Sequence, residues 1–320
     1  MTQSLAPGSS VRVRVPASSA NLGPGFDSIG LALGLWDTCT ALVTQEPGLR
    51  IEVVGEGAAD VPRDASHLVY RSMLRAWDEL GVTAPKGLHL RCDNAVPHGR
   101  GLGSSATAIV TGVVAAQALR DVCRGAPGRP DLDFANTLAA RLEGHPDNSS
   151  ASVFGGLTLS WVDEPDADTR TLRLQPHPDV TPVVVVPSAQ LSTAKARSVL
   201  PTHVRHADAA LNSARAALLV HALTSDPAYL LPATREWLHQ EARRESFAAS
   251  MALVDELRGR GHAAVISGAG PSVLVLTTTE HADEVSKAVD ESWTVLRPEV
   301  PARGAQVEYD TGIGNPALLD

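Results

Sequence analysis

The ten residues from Pro97 to Ala106, Pro-His-Gly-Arg-Gly-Leu-Gly-Ser-Ser-Ala, have the types and spacing needed to bind an anion. Three glycines at alternate positions allow backbone angles that other residues avoid and let a ligand come close. The two serines lead into an apolar, alanine-rich run, 106–119, which indicates a buried helix. Such a loop directs unpaired N–H groups and the positive end of a helix dipole towards one point. We therefore predict a phosphate-binding loop.

Two common phosphate motifs do not match this loop. The Walker motif has a lysine after its last glycine, whereas Ser104 follows Gly103. The dinucleotide motif needs a third glycine at the position of Ser104 and a strand directly before the loop, and residues 93–97 suit only the end of a strand. A lone Gly-rich stretch is often a flexible surface loop. The regular spacing and the clean helix start favour a phosphate site.

The composition is typical of a soluble globular protein and argues against a nucleic-acid partner. The 320 residues suffice for one large domain or two smaller ones. A net charge of −9 argues against a nucleic-acid or anionic membrane surface. Lys86, Lys195 and Lys287 are the lysines among 27 Lys and Arg residues, so we expect arginine to anchor anionic groups.

The cysteines and the apolar runs favour a cytoplasmic location. Cys39, Cys92 and Cys123 are far apart and follow neither a disulfide nor a zinc pattern. The N-terminus lacks the features of a signal peptide. We find no apolar stretch approaching the ~20 residues that span a bilayer, and expect no membrane association.

Hydrophobic periodicity predicts strands and helices in both halves of the chain, which is typical of an α+β or α/β protein. Strands are expected at 11–15, 49–54, 183–186, 263–267, 272–277 and near 305–309, and helices at 68–80, 106–119, 133–143, 208–223, 246–258 and 281–290. Residues 16–27, rich in polar residues, Gly and Pro, indicate a loop. The acidic stretch 163–170 favours a boundary between domains at 1–162 and 163–320.

Three separated segments together resemble the GHMP small-molecule kinases. The phosphate loop matches their pattern Pro-x-x-x-Gly-Leu-Gly-Ser-Ser-Ala. The segment Val15-Pro-Ala-Ser-Ser-Ala-Asn-Leu-Gly-Pro-Gly-Phe-Asp27 resembles the N-terminal motif of the homoserine kinases in this superfamily. Ile266-Ser-Gly-Ala-Gly-Pro-Ser272 resembles the C-terminal glycine motif. Glu143-Gly-His-Pro-Asp-Asn148 and Ser192-Thr-Ala-Lys-Ala-Arg197 are also similar, and the order along the chain is the expected one.

The resemblance implies a two-domain α+β fold. An ATP-binding domain like domain 2 of ribosomal protein S5 would occupy 1–162, and a ferredoxin-like domain completing the substrate site would occupy 163–320. It implies ATP- and Mg²⁺-dependent phosphorylation of the L-homoserine hydroxyl, a step towards threonine. It further implies a homodimer.

The resemblance also implies which residues would hold ATP and the metal. The phosphates would be bound by the loop residues Pro97, Gly99, Arg100, Gly101, Leu102, Gly103, Ser104 and Ser105. Mg²⁺ would be held by oxygen atoms of Ser105 and Glu143, although a glutamate at a helix end is by default solvated. His67 replaces an asparagine that family members often carry near the adenine pocket, which puts the adenine contacts in doubt.

Homoserine offers an ammonium, a carboxylate and a hydroxyl. The implied substrate residues are Asn21, Asp27, His145, Asp147, Asn148, Thr193, Arg197 and Arg243, and the implied catalytic ones are His145, Asp147, Asn148 and Arg197. Asp27 would pair with the ammonium and the two arginines with the carboxylate. Asn148 cannot take a proton, so Asp147, His145 or the phosphate itself would receive it.

Each of these assignments has a simpler alternative. Asn21 and Asp27 suit a turn, His145 could be a turn residue, and Arg243 next to Arg244 could be a surface arginine. At the level of function, the alternatives are a related kinase for another small alcohol, such as mevalonate or a sugar, and a nucleotide-binding regulator without catalysis.

Overall fold

The computed structural model describes residues 3–164 and 167–309. The strands are β1 Gln3–Ser4, β2 Ser10–Asn21, β3 Gly25–Val43, β4 Gly48–Gly55, β5 Val82–Thr83, β6 Gly87–Asn94, β7 Leu157–Trp161, β8 Arg170–Leu174, β9 Val180–Val186, β10 Ala263–Ile266, β11 Val273–Thr278, β12 Thr294–Leu296 and β13 Gln306–Tyr309. The helices are α1 Leu68–Glu79, α2 Ser104–Cys123, α3 Leu132–Glu143, α4 Pro146–Phe154, α5 Thr193–Ser198, α6 His206–Thr224, α7 Leu230–Ala233, α8 Ala248–Gly259 and α9 Ala282–Lys287. Short 3₁₀ segments cover Pro227–Tyr229 and Glu241–Phe247.

The larger sheet has the strand order β13-β2-β3-β6-β4, with β7 paired to β3 and β8 paired to β7. Strand β3 is long enough to pair with β2 along its length, with β6 at one end and with β7 at the other. Helices α1, α2 and α3 pack on this sheet around a core that includes Met73, Trp77 and Leu119. The sheet thereby holds the loop before α2 against the ends of β2 and β3.

The smaller sheet, β10-β11-β9-β12, is antiparallel and covered on both faces. Along β9, Val184 packs with Leu219 of α6 and Leu22 of the β2–β3 turn. Val183 and Val185 point to the opposite face, where Leu257 of α8 lies. A strand buried on both faces needs apolar residues at successive positions, which explains the run that predicted a buried strand at 183–186.

Most of the predicted helices and strands are present, with ends shifted by a few residues. The helix after the glycine loop starts at Ser104 and continues to Cys123, so it is longer than expected. The expectation that no apolar stretch approaches 20 residues was wrong, because α2 has the length and composition to cross a membrane. Most of α2 is buried inside the protein, as expected for the central helix of a core.

The prediction of a loop over 16–27 was wrong. Strand β2 continues to Asn21 and β3 begins at Gly25, with register shifts between Pro16 and Ala17 and between Ala20 and Asn21. The polar residues there are buried, and their hydroxyls are satisfied within the fold: Ser19 Oγ lies 2.8 Å from Ser267 Oγ. Because serine is polar, the hydrophobic pattern does not distinguish a buried, hydrogen-bonded serine from an exposed loop residue. The continuation of β2 was missed for this reason.

Two strands that lie beyond the predicted domain boundary at 162/163 pair with strands of the first half of the chain. Strand β8 at 170–174 and strand β13 at 306–309 both belong to the larger sheet. The chain thus returns to the larger sheet after it has formed the smaller one. The division at 162/163 stays a prediction. Pro165 and Asp166, in the acidic stretch that suggested the boundary, lie outside the described residues.

Candidate active site

The glycine loop adopts backbone angles that require its glycines. Gly99, Gly101 and Gly103 have φ values of 64°, 73° and 71°, in the left-handed region. A Cβ atom on Gly101 would collide with the carbonyl oxygen of Ser267, and one on Gly103 with the hydroxyl of Ser18. The alternate spacing thus reflects both local conformation and close approach by neighbouring strands.

The loop turns its carbonyl groups into the fold and leaves its N–H groups available. The carbonyl oxygens of residues 99–103 accept hydrogen bonds, in order, from Leu191, Ser272, Ser267, Ser18 and Thr107. Among the described residues, the backbone N–H groups of 100–105 have no acceptor. Together with the start of α2, these donors form the anion-binding arrangement that the sequence predicts.

Ser105 and Glu143 form an oxygen-rich pair beside the loop. Ser105 Oγ donates to Glu143 Oε1 at 2.5 Å, joining the first turn of α2 to the last residue of α3. Burial raises the pKa of Glu143, against the Ser105 hydrogen bond, which lowers it. Glu143 is therefore a half-buried carboxylate with a hydrogen-bond partner in the site, and not a fully solvated residue at a helix end.

A cavity of about 210 Å³ lies between the loop and the two sheets. Its walls come from both halves of the chain and include Asn21, Phe26, Gly99, Gly101, Gly103, Ser104, Ser105, Glu143, His145, Asp147, Asn148, Thr193, Arg197, Arg243, Gly268 and Ala269. Residues that are more than 200 positions apart in the sequence thus meet around one space. This cavity contains nearly all the residues that the resemblance assigns to the substrate.

Asp27 and Arg197 form a two-pronged ion pair at the edge of the cavity. Arg197 Nη2 donates to Asp27 Oδ1 at 2.5 Å and Nη1 donates to Oδ2 at 3.2 Å. Asp27 has a φ of 54°, an uncommon angle for a non-glycine residue. Asn21, at φ 70°, supports it by accepting a hydrogen bond from the Asp27 N–H and donating one to the Gly268 carbonyl. Asn21 therefore shapes the turn as well as lining the cavity.

Arg243 is a buried arginine and not a surface one. Its exposed fraction is 1%, and Nε donates to the carbonyl oxygen of Ala196 at 2.9 Å. The guanidinium carbons of Arg197 and Arg243 lie 5.6 and 5.8 Å from the centre of the Phe26 ring. Burial and the neighbouring charge of Arg197 lower the pKa of Arg243 to about 10, so it remains cationic at neutral pH.

His145 and Asp147 form a second charged pair. His145 Nδ1 lies 2.8 Å from Asp147 Oδ1, which also accepts a hydrogen bond from the Asn148 N–H at 2.8 Å. Burial lowers the pKa of His145, but the hydrogen bond and charge of Asp147 raise it, and the net shift is upward. Oxygen and nitrogen atoms of Asp27, His145 and Asp147 all lie within 4.8 Å of one another. The Asn148 amide oxygen accepts from Ser18 Oγ at 3.0 Å.

A second cavity, of about 270 Å³, lies on the other side of Ser104 and Ser105. Its walls are largely apolar and include Val61, Leu68, Val69, Cys39, Cys92 and Ala108, with His67 and His98 among the polar members. Burial lowers the pKa of both His67 and His98. The glycine loop thus separates a charged cavity from an apolar one, an arrangement suited to two substrates that meet at a phosphate.

Comparison with known proteins decides the family. The model described as "GHMP kinases N terminal domain" matches residues 67–156, and "GHMP kinases C terminal" matches residues 214–295. The homoserine kinase of Streptomyces avermitilis is 50% identical over 297 residues, 93% of this chain and 95% of that protein. The chain belongs to the GHMP kinases, in their homoserine kinase branch. The homoserine kinase of Clavibacter michiganensis is 44% identical over 313 residues, covering 96% of this GHMP kinase and 97% of that protein.

Solved structures agree on the fold of this GHMP kinase. The crystal structure of homoserine kinase from Cytophaga hutchinsonii has a TM-score of 0.80 at 26% identity, covering 96% of this chain and 99% of that one. Mevalonate diphosphate decarboxylase from Staphylococcus aureus has a TM-score of 0.62 at 16% identity, with coverage of 94% and 98%, and shows the shared fold alone. The expected two-domain α+β GHMP kinase fold is therefore confirmed.

Some predicted residues of this GHMP kinase take positions that the sequence did not anticipate. The Arg100 guanidinium donates to the carbonyl oxygens of His98, Pro187 and Ser188, so it braces the loop. The Leu102 side chain is buried in the core between the two sheets. Arg100 and Leu102 could therefore contact a phosphate only through their backbone N–H groups. Pro97 lacks even this donor, because proline has no N–H.

Three residues that matter here escaped the sequence reasoning. Ser18 and Phe26 lie within the N-terminal motif, but only Asn21 and Asp27 of that motif were predicted to be site residues. His239 precedes Arg243 by four residues and contacts it. The segment Leu238-His-Gln-Glu-Ala-Arg243 places the two residues four positions apart, and this spacing was the available signal.

Proposed function

We propose that the chain transfers the γ-phosphoryl group of ATP to the side-chain hydroxyl of L-homoserine, forming O-phospho-L-homoserine. The observation that carries this proposal is the single cavity in which a loop of unpaired N–H groups faces charges of both signs. A zwitterionic amino acid requires such a combination of carboxylates and guanidinium groups. The relatives named homoserine kinases support the same substrate.

The loop and the Ser105–Glu143 pair fit ATP and Mg²⁺. The N–H groups of residues 100–105 have no acceptor among the described residues, as a phosphate site would require. Mg²⁺ prefers oxygen ligands and takes few from protein when phosphates supply the rest, so Ser105 Oγ and the Glu143 carboxylate are a sufficient protein contribution. When bound, the metal would neutralise charge on the transferring phosphoryl group.

The charged residues would position the amino acid. In the structure Asp27 and Arg197 bond to each other, which leaves neither charge unpaired. We propose that homoserine rearranges this pair, placing its ammonium at Asp27 and its carboxylate between Arg197 and Arg243. Thr193 and Asn21 would close the polar wall of the cavity around these groups.

The surroundings of His145 and Asp147 limit which group can accept the proton of the substrate hydroxyl. The raised pKa of His145 increases its protonated fraction near neutral pH, which makes it a poor acceptor. Asp147, 1% exposed and engaged through Oδ1, could accept the proton, or the proton could pass to the phosphoryl oxygens. Asp147→Asn distinguishes the two, because a catalytic base contributes about 10²–10⁴-fold. A kcat lowered by that factor identifies Asp147 as the base, and a kcat within tenfold identifies the phosphoryl oxygens.

The function is tested by measuring ADP release in the presence of ATP and Mg²⁺ with each of four additions. L-homoserine should stimulate release strongly, while mevalonate, galactose and buffer alone should not. Stimulation by mevalonate or galactose instead would identify another GHMP kinase. Release unaffected by every acceptor would favour the regulator without catalysis.

We also propose that the chain acts as a cytoplasmic homodimer in threonine biosynthesis, on the strength of its family membership. Sedimentation equilibrium of the purified protein tests the dimer, since one chain has a mass of 33.5 kDa. A single species of that mass at micromolar concentration would exclude a stable dimer. Growth of a threonine-requiring strain lacking homoserine kinase, restored by this chain, tests the pathway.

A further inference from the structure

A chain of buried hydrogen bonds connects Arg243 to the turn that carries Asp27. Arg243 Nη1 lies 3.3 Å from His239 Nδ1, and His239 Nε2 lies 2.9 Å from the carbonyl oxygen of Gly23. Both side chains are 1% exposed. The connection therefore runs from one substrate-facing cation, through one imidazole, to the backbone between β2 and β3.

The partners determine the tautomer of this imidazole. A guanidinium has only donors, so His239 Nδ1 must accept from Arg243. A carbonyl oxygen only accepts, so Nε2 must carry the hydrogen and donate to Gly23. The two contacts are satisfied together by the neutral Nε2–H form and by no other. Burial lowers the pKa of His239, more than the Glu236 carboxylate raises it, and this favours the same neutral form.

Two further interactions hold His239 in place. Its ring stacks on Phe26 with centroids 5.1 Å apart. The Glu236 carboxylate accepts hydrogen bonds from the N–H groups of Leu238, His239 and Gln240, at 2.6 to 2.9 Å, and so fixes the segment that carries His239. The imidazole is thus rigidly oriented before any substrate arrives.

We propose that His239 is a positioning residue, which orients the Arg243 guanidinium towards the substrate carboxylate by accepting its hydrogen bond. This inference rests on the proposed function, because it concerns the same amino-acid cavity. His239 does not itself line that cavity; it acts through Arg243. What matters is the acceptor at the Nδ1 position rather than the volume of the ring.

Two substitutions separate the acceptor from the volume. In His239→Asn the amide oxygen stands near the position of Nδ1 and can still accept from Arg243. In His239→Gln the amide nitrogen stands near Nε2, which preserves the donor to Gly23 but not the acceptor for Arg243. We expect His239→Gln to raise the homoserine KM roughly 10- to 100-fold, with the ATP KM unchanged. His239→Asn should stay within about threefold of the wild type.

A filling role predicts the opposite order, because glutamine is closer to histidine in size. A homoserine KM that is raised more by His239→Asn than by His239→Gln would therefore overturn the proposal, as would equal effects of both. His89→Gln, at another buried histidine on β6, is the matched control and should leave the homoserine KM unchanged.

The pH dependence of the homoserine KM tests the proposal without any His239 variant. In wild-type enzyme the homoserine KM should rise at acidic pH, because protonation of His239 removes the Nδ1 acceptor. The charged groups that face His239 are Glu236, Arg243 and Asp27. His145 is also titratable, so the comparison is with Arg243→Ala, which has no donor for His239 Nδ1 and in which the acidic rise due to His239 should be lost. An identical acidic limb in both enzymes would refute the proposal.

The failure of this inference is distinguishable from failure of the proposed function. Homoserine-dependent ADP release by the wild type is measured first, and its absence refutes both. When the wild type is active, combining His239→Gln with Arg243→Ala should raise the homoserine KM no further than Arg243→Ala alone. Additive effects of the two substitutions would show that His239 acts independently of Arg243 and would refute the inference alone.

Discussion

Replacing Arg243 with alanine tests the substrate site most directly. The side chain is 1% exposed, and its Nε is held by the Ala196 carbonyl, so little solvent screens its charge. Removing a buried partner of a charge pair typically costs about 2–5 kcal/mol, and every ~1.4 kcal/mol is tenfold in affinity. We therefore expect the homoserine KM to rise by about 30-fold to several thousand-fold. The ATP KM should change little, because Arg243 is not part of the phosphate loop.

The neighbouring arginine supplies the control. Arg244 is partly exposed and pairs with Glu241 and Asp255 on the outer surface, so Arg244→Ala should leave both KM values unchanged. Steady-state ADP release, measured while each substrate is varied in turn, gives the two constants. Equal effects of Arg243→Ala and Arg244→Ala, or a wild-type homoserine KM in Arg243→Ala, would refute the reasoning. The midpoint of thermal unfolding verifies that each variant is folded.

Three other substitutions have defined outcomes. Glu143→Gln removes the charge beside Ser105 and should lower turnover by orders of magnitude at limiting Mg²⁺, while an unchanged rate there would exclude Glu143 as a metal ligand. Asp27→Asn breaks the ion pair with Arg197 and should raise the homoserine KM by roughly 30-fold, at the lower end of the range because both side chains are partly exposed; an unaltered KM would exclude Asp27 from ammonium binding. Burial raises the pKa of Asp37 from 3.8 to about 6, so the folded state binds more protons between these values and stability falls as the pH rises across them. At 1.36 kcal/mol per pH unit, Asp37→Asn should raise the free energy of unfolding above pH 6 by up to about 3 kcal/mol. Urea titrations of this variant should no longer show the pH dependence, and a free energy of unfolding below that of the wild type at pH 7.5 would contradict the argument.

Local chemistry made the phosphate loop predictable. The glycines at 99, 101 and 103 need backbone angles that other residues avoid, and the helix after them begins at Ser104, two residues before the predicted start at Ala106. Regular helices such as α1 and α6 were also found, because an apolar face with a spacing of three to four residues is a local property. The family motifs extended this to the candidate ligands, which were identified one residue at a time.

Segments whose polar residues are buried could not be predicted in this way. Helix α4 carries Ser149, Ser150 and Ser152, all with 0% exposure, and Ser150 Oγ donates to Asn136 Oδ1 at 2.7 Å. Strand β2 similarly buries Ser18 and Ser19. Except for Ser149, which bonds to the nearby Pro146 carbonyl, these serines find partners in other elements of the fold, and a pattern of hydrophobicity cannot detect such partners.

The sequence by itself determined the loop, its helix and the set of residues able to do the chemistry. Which of them meet was decided by the tertiary structure, because Asp27 and Arg197 are 170 positions apart and Ser105 and Glu143 are 38 apart. Two adjacent arginines, at 243 and 244, are chemically identical in the sequence, yet one is buried at the site and the other lies on the surface. The packing of the 3₁₀ segment 241–247 against α5 and β10 separates them, and such packing depends on contacts that only the folded chain contains.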